Sequence, residues 1–238
     1  MDDDAPATDD APATDDASGD GPGRRRWAGV PAERRRAERR ALLVEAGLDL
    51  LGAEGTASTT VRAVCQRARL NPRYFYESFA TLDDLVVGVY DAVVEEMLSG
   101  LAGVVAAAPP DARGQTRAVV DHIVRFVDED RRRARVLYVE ALGNEALNRR
   151  RVATGHDLVD LVARDAARRA AAPAPDAAAV ERVGRVTAAV LVGGFTELLL
   201  AWLAGRIDGS REQLVDDATT LFLAVTDAAA TLATDRAV

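Results

Sequence analysis

From Glu33 onward, apolar residues return every three or four positions and nowhere alternate. That period lines one side of a 3.6-residue turn, whereas a half-buried strand needs a period of two. Ala, Leu, Arg and Glu, all good helix formers except for their context, dominate the same stretch. The chain is therefore expected to be all-α, and its breakers divide it into about nine helices. The first covers about 33–52, with Ala41, Val44, Leu48 and Leu51 on one stripe and Gly52 and Gly55 ending it. A short second helix starts at Thr59 or Thr60, either able to cap it, and turns Val61, Val64, Cys65 and Ala68 inward. Asn71 and Pro72 open a third, over about 71–78, as N-cap and first helical residue. The fourth runs from about Thr81 to Ala107. Beyond it, "APPDARG", "DED", "GNE", "APAPD" and "IDGS" separate helices at about 115–128, 132–142, 145–171, 177–205 and 210–233.

The formal charge of −8 over 238 residues is unevenly spread. Residues 1–23 hold eight Asp and no base, in a decaying "DDAPAT" repeat. Such sequence buries too little apolar surface to order itself, so a disordered acidic tail is expected. Residues 24–79 hold twelve Arg against six acids, and residues 80–238 eighteen Arg against twenty-four acids. The result is an acidic tail, a basic module and an acidic body, and a basic module suits a polyanionic partner. The tail reads either as a solubiliser or as a competitor of phosphates for the adjacent arginines.

Several classes are disfavoured. One cysteine, Cys65, leaves no disulfide framework, and the acidic N-terminus resembles no signal peptide, which points to the cytoplasm. "VTAAVLVGGFTELLLAWLAG" just reaches the length of a membrane span, but Glu197 inside it would cost about 2.5–3.5 kcal/mol. A buried helix of a soluble protein is expected there instead. No nucleophile elbow, nucleotide loop or metal-ligand spacing is present, so neither an enzyme nor a cofactor is expected.

Two short helices joined by a tight turn, after a longer helix, make a helix-turn-helix. In such a unit the second helix enters the major groove of DNA. Phe75 and Phe79, four apart, are expected to face the core, leaving Arg73, Tyr74 and Tyr76 displayed together toward DNA. The alternative is that the tyrosines only cover the start of the fourth helix.

Residues 59–86, "TTVRAVCQRARLNPRYFYESFATLDDLV", resemble the DNA-binding domain of the tetracycline-repressor (TetR) family. Thr60, Val64, Ala68, Leu70, Tyr76, Phe79, Thr81, Asp83 and Leu85 match that family's pattern with spacing intact. The resemblance covers about 33–97. It implies DNA-binding residues Thr60, Arg62, Asn71, Arg73, Tyr74 and Tyr76. The arginine cluster Arg24, Arg25, Arg26, Arg34, Arg35, Arg36, Arg39 and Arg40 offers phosphate contacts beside them, and its first three residues, ahead of the first helix, are expected to act as an arm toward the minor groove or backbone. Two departures stand out. Arg69 replaces the usual turn glycine, a strained choice if φ is positive there, and Leu82 replaces a phosphate-binding lysine.

The resemblance further implies that residues 24–80 form the DNA-binding domain and 81–238 a helical body that binds an effector and dimerises. The last two helices would form the dimer interface through Val190, Phe195, Leu199, Trp202, Leu221, Phe222 and Val225. Polar groups on apolar faces mark effector candidates: His122 with Phe126, Tyr138, Glu140, Thr196 and Glu197. The expected function is a cytoplasmic, homodimeric regulator of palindromic operator DNA, a repressor released by a small molecule, with no membrane partner. The alternative is a helical ligand-binding or scaffolding protein that has lost operator reading.

Overall fold

The computed structural model describes residues 32–169 and 177–235, all helices and turns, with no strand among them. The acidic tail and Arg24–Arg26 lie outside the described residues. Helix α1 is Ala32–Ala53, α2 Val61–Ala68, α3 Pro72–Tyr76 and α4 Leu82–Ser99. Then follow α5 Leu101–Ala107, α6 Ala112–Glu129, α7 Arg131–Ala134, α8 Glu145–Arg169, α9 Ala177–Leu203 and α10 Arg211–Asp235. Helices α1–α3 form a small N-terminal bundle. Helix α4 leads from it into a body in which α10 packs on α6 and α9, and α8 packs on α9 and α4.

The α1 stripe is rotated from the expected one. Leu43, Ala46, Leu50 and Leu51 are buried along with Leu48, while Ala41 is exposed and Val44 only half-buried. Gly52 does not end the helix. The body comes close there, because a Cβ would collide with Arg132 Cβ and sit 2.8 Å from Arg132 Cα. The stop is Gly55, at φ 87°, whose N–H reaches back to the Leu50 and Leu51 carbonyls.

The long fourth helix divides at Gly100, against which His122 packs. A Cβ at Gly100 would lie 2.8 Å from His122 Cε1, and His122 Nε2 sits 2.9 Å from the Met97 carbonyl. A two-way cap starts α4: the Thr81 hydroxyl accepts from the Asp84 N–H at 3.1 Å, and the Asp84 carboxylate accepts from the Thr81 N–H at 2.9 Å. Leu82, the first residue of that helix, packs on the core.

The helix expected at 132–142 is a composite. Four α-helical residues give way to a π-helical turn, Arg135–Val139, and then a 3-10 turn, Glu140–Leu142. Single π-turns inside helices mark strained or functional places. This one faces both the N-terminal bundle and the interior of the body.

Helix α9 is not the buried helix expected. Ala179, Val183, Ala188, Phe195 and Leu199 are buried, but Val186 and Val190 are exposed. By length and composition it could cross a membrane, and only 17% of that apolar stretch is buried inside one chain.

Candidate functional site

The helix-turn-helix is built from local signals. The Thr60 hydroxyl accepts from the Ala63 N–H at 3.1 Å and caps α2, leaving Arg62 exposed beside it. Helix α2 closes with paired reverse bonds, Leu70 N–H to the Cys65 carbonyl at 2.9 Å and Arg69 N–H to the Gln66 carbonyl at 3.2 Å. This is the Schellman arrangement, and its left-handed residue is Arg69, at φ 55° and ψ 38°. The arginine therefore stands where glycine is cheaper. Asn71 then caps α3, its side-chain oxygen accepting from the Arg73 N–H at 2.9 Å, with Pro72 in the first turn.

Phe75 and Phe79 are both buried, with ring centroids 5.9 Å apart, and anchor α3 to the bundle. Tyr76 is 62% exposed and sets its ring edge-on to Phe75. The Arg73 side chain is 82% exposed. Tyr74 departs from the expected common face. It is half-buried and lies under the Arg39 guanidinium, 4.5 Å from its ring centroid. Positions 73 and 76 are about 60° apart around a helix, whereas 74 and 76 are about 160° apart, so one face cannot hold all three. Arg73 and Tyr76 share a face, and Tyr74 belongs to the flank beside α1.

Glu77, not singled out from sequence, organises the arginines. Its carboxylate accepts from Arg73 Nε at 3.1 Å and from Arg39 at 3.3 Å, and its carbonyl accepts from Arg36. The i, i+4 spacing to Arg73 was a readable signal; the approach of α1 was not.

A second set of contacts ties this bundle to the body. Arg132 reaches Asp49 of α1 and pairs with Asp130. Arg135 donates to the Ala53 carbonyl at 3.0 Å and to Glu140 at 2.8 Å. The other Glu140 oxygen accepts from the Thr56 N–H at 2.8 Å and hydroxyl at 2.7 Å. Burial alone would push the Glu140 carboxyl up; the Thr56 and Arg135 donors outweigh it and hold the group below its ordinary range.

Inside the body lies a cavity of about 80 Å³, lined by Tyr90, Val94, Met97, Leu137, Tyr138, Arg151, Thr154, Gly155, Leu158, Val192 and Thr196. Of the effector candidates it brings together Tyr138 and Thr196. Burial, with Tyr90 adding to it, raises the Tyr138 phenol far above its ordinary range. The other candidates are occupied elsewhere. His122 braces the α4–α5 break, and Phe126 is buried under the Arg133 guanidinium at 4.2 Å. Glu140 faces Thr56, and Glu197 is exposed. Tyr90, Met97, Arg151 and Thr154 escaped the sequence reading, since nothing local distinguishes them from core or surface residues.

On the outer side of α9 and α10, Val190 is 55% and Leu221 62% exposed, with Val186 and Leu232 near them in sequence and also exposed. Gly193 and Gly194 open onto free space. The remaining interface candidates contribute less. Phe195 and Leu199 are buried within one chain, Phe195 stacking edge-on with half-buried Phe222 at 5.4 Å. Trp202 donates to the Gly209 carbonyl at 3.3 Å and closes the α9–α10 turn, and Val225 is half-buried.

Among solved structures, the chain resembles the fatty acid degradation regulator FadR of Bacillus halodurans. The TM-score is 0.63 at 13% identity, over 78% of this chain and 94% of that one. A transcriptional regulator from Rhodococcus sp. gives 0.62 at 18% identity, over 79% and 96%. The multidrug binding protein EbrR, complexed with imidazole, gives 0.53 at 23% identity, over 77% and 94%. No curated protein matches the sequence. Residues 43–89, from mid-α1 through the helix-turn-helix into α4, match the family model for bacterial regulatory proteins of the tetR family. The match falls on the element that carries Arg73 and Tyr76, so residues 43–89 form a tetR-family DNA-binding segment, and most of the chain shares its fold with these solved structures.

Proposed function

We propose that this regulator is a homodimeric repressor that binds a palindromic operator and is released by a small molecule. The observation that carries the reading is the way α3 is presented. Caps at Thr60 and Asn71 and the anchors Phe75 and Phe79 fix it, while Arg73 and Tyr76 point away from the core. Arg73 is suited to a base edge, and Tyr76, Thr60, Arg62 and Asn71 to backbone phosphates. Tyr74 acts from the flank, under Arg39. Arg24–Arg26 supply an arm, and residues 24–80 make up the DNA-reading unit.

One short helix reads few bases, so two copies are needed to specify an operator. The exposed apolar strip of Val186, Val190, Leu221 and Leu232 on α9 and α10 supports a second copy of this chain as its cover. Burial of that face in a soluble dimer also accounts for a helix apolar enough to cross a membrane, and favours a cytoplasmic protein.

Release follows from the segment 135–140. Tyr138 lines the cavity, while Arg135 and Glu140 on either side of it hold Ala53 at the end of α1 and Thr56 just beyond. A ligand that displaces Tyr138 acts within three residues of the contacts that seat the DNA-binding bundle. It shifts the population toward a spacing of reading helices that no longer fits successive grooves.

The test is a gel-shift search of genomic fragments with the full chain. A palindromic fragment should be retained, and Arg73→Ala should weaken its binding by about 1–3 kcal/mol and relax sequence preference at one position of each half-site. Retention of no fragment by the purified dimer would sink the operator reading and favour a ligand-binding protein that no longer reads DNA.

A further inference from the structure

The cavity between α4, α8 and α9 is lined by four hydroxyl-bearing residues and one guanidinium among aliphatic side chains. Its only charged lining residue is Arg151, and no carboxylate lines it. The Arg151 Nε is buried without a hydrogen-bond partner, and its terminal nitrogen reaches only Asn148, at 3.4 Å. The neighbouring Arg150 is differently placed, paired with Asp91 at 2.6 Å. The Thr154 hydroxyl, also buried, lies beside the Tyr90 phenol yet completes no hydrogen bond of normal geometry. Tyr138 adds a second phenol to the wall. The Thr196 hydroxyl is spent on the Val192 carbonyl in its own helix. A buried guanidinium N–H and a buried hydroxyl left open are costly unless something occupies them.

Opposite these groups the wall is aliphatic: Val94, Met97, Leu137, Leu158 and Val192. The site thus has one cationic, donor-bearing end and one apolar end. We infer that the effector is a compact monocarboxylate with a short aliphatic tail, its carboxylate on Arg151 and Thr154 and its tail against Met97 and Leu158. This rests on the effector reading above and specifies its ligand. Arginine matches a carboxylate in shape as well as charge, presenting parallel N–H groups to two oxygens. Size sets a limit as well: a void of about 80 Å³ is roughly half of one that admits benzene, so even a four-carbon carboxylate fits only as the wall yields. Met97 is the wall residue best able to yield to a slightly longer tail.

The experiment uses the full-length protein with butyrate and with butanamide, its uncharged counterpart of nearly equal shape. Titration calorimetry reads binding, and a gel shift with a retained DNA fragment reads release. Butyrate is expected to bind at least about tenfold more tightly than butanamide. Arg151→Gln should abolish that preference and Arg151→Lys should keep part of it. Circular dichroism on both variants separates lost recognition from lost folding. Equal binding of the two probes, binding of neither, or an undiminished preference in a folded Arg151→Gln variant would overturn the assignment. Release of DNA by butanamide as readily as by butyrate also overturns it, while leaving effector control standing. Butyrate binding that depends on Arg151 without releasing DNA supports the ligand class and counts against release.

Discussion

Replacing Arg69 by glycine should make the protein more stable, although it removes a large side chain and adds backbone freedom. Arg69 is the only non-glycine residue with positive φ among those described, and its side chain is exposed. A side chain in the left-handed region costs about 1–2 kcal/mol, because Cβ crowds the following carbonyl oxygen. Glycine removes that cost but adds about 0.4–1 kcal/mol of unfolded-state entropy to be lost on folding. The difference favours glycine by about 0.5–1 kcal/mol, a rise in Tm of about 1–4 °C for a chain of this size. Urea denaturation followed by circular dichroism gives the number directly, provided the slope with denaturant is unchanged. Alanine is the informative control, since it discards the arginine but keeps Cβ; Arg69→Ala should be near neutral. If the glycine variant is no more stable than the alanine variant, backbone strain at the turn is not what the arginine costs.

Four further outcomes follow from the geometry. Glu77→Gln frees Arg39 and Arg73 from a competing carboxylate; DNA affinity should rise and its log–log salt slope steepen by about one, and an unchanged slope would refute competition. Gly52→Ala forces a methyl onto the backbone of Arg132 and should destabilise the fold by about 1–3 kcal/mol, as read by thermal melting, despite the better helix propensity of alanine. Val190→Glu with Leu221→Glu should convert dimer to monomer in sedimentation while leaving helix content intact; a persistent dimer would move the interface elsewhere. The Glu140 carboxyl is held below its unfolded range, so its contribution is present above about pH 4.3 and is lost as pH falls through the lower folded value. Glu140→Gln should therefore flatten that part of an acid-denaturation curve.

What the sequence made legible was local. Thr60, Asn71 and Pro72 announce their helix starts because caps act within three residues, and Phe75 and Phe79 declare their face by a spacing of four. The α1 stripe is rotated from the one its periodicity predicts because that helix serves several partners, α2, α4 and α7 among them, and periodicity sees only an average. Gly52 looked like a stop, yet its role depends on Arg132, eighty positions away. Tyr138, Thr196, His122, Glu140 and Glu197 carried the same signal, a polar group amid apolar neighbours. That pattern does not tell a cavity wall from a brace, a latch or a solvated position. Arg151 and Thr154 sit in a charge-rich helix where nothing in the order of residues singles them out.

The π-turn at Arg135–Val139 has a geometric consequence of its own. Arg135 and Glu140 are five residues apart, and an ordinary α-helix would rotate them about 140° from one another. Their 2.8 Å ion pair is therefore compatible with the wider turn and not with regular winding. The five-residue pitch thus brings Glu140 back beside Arg135, and the same carboxylate reaches Thr56, so the winding of this segment and the clasp on the end of α1 are one structural element.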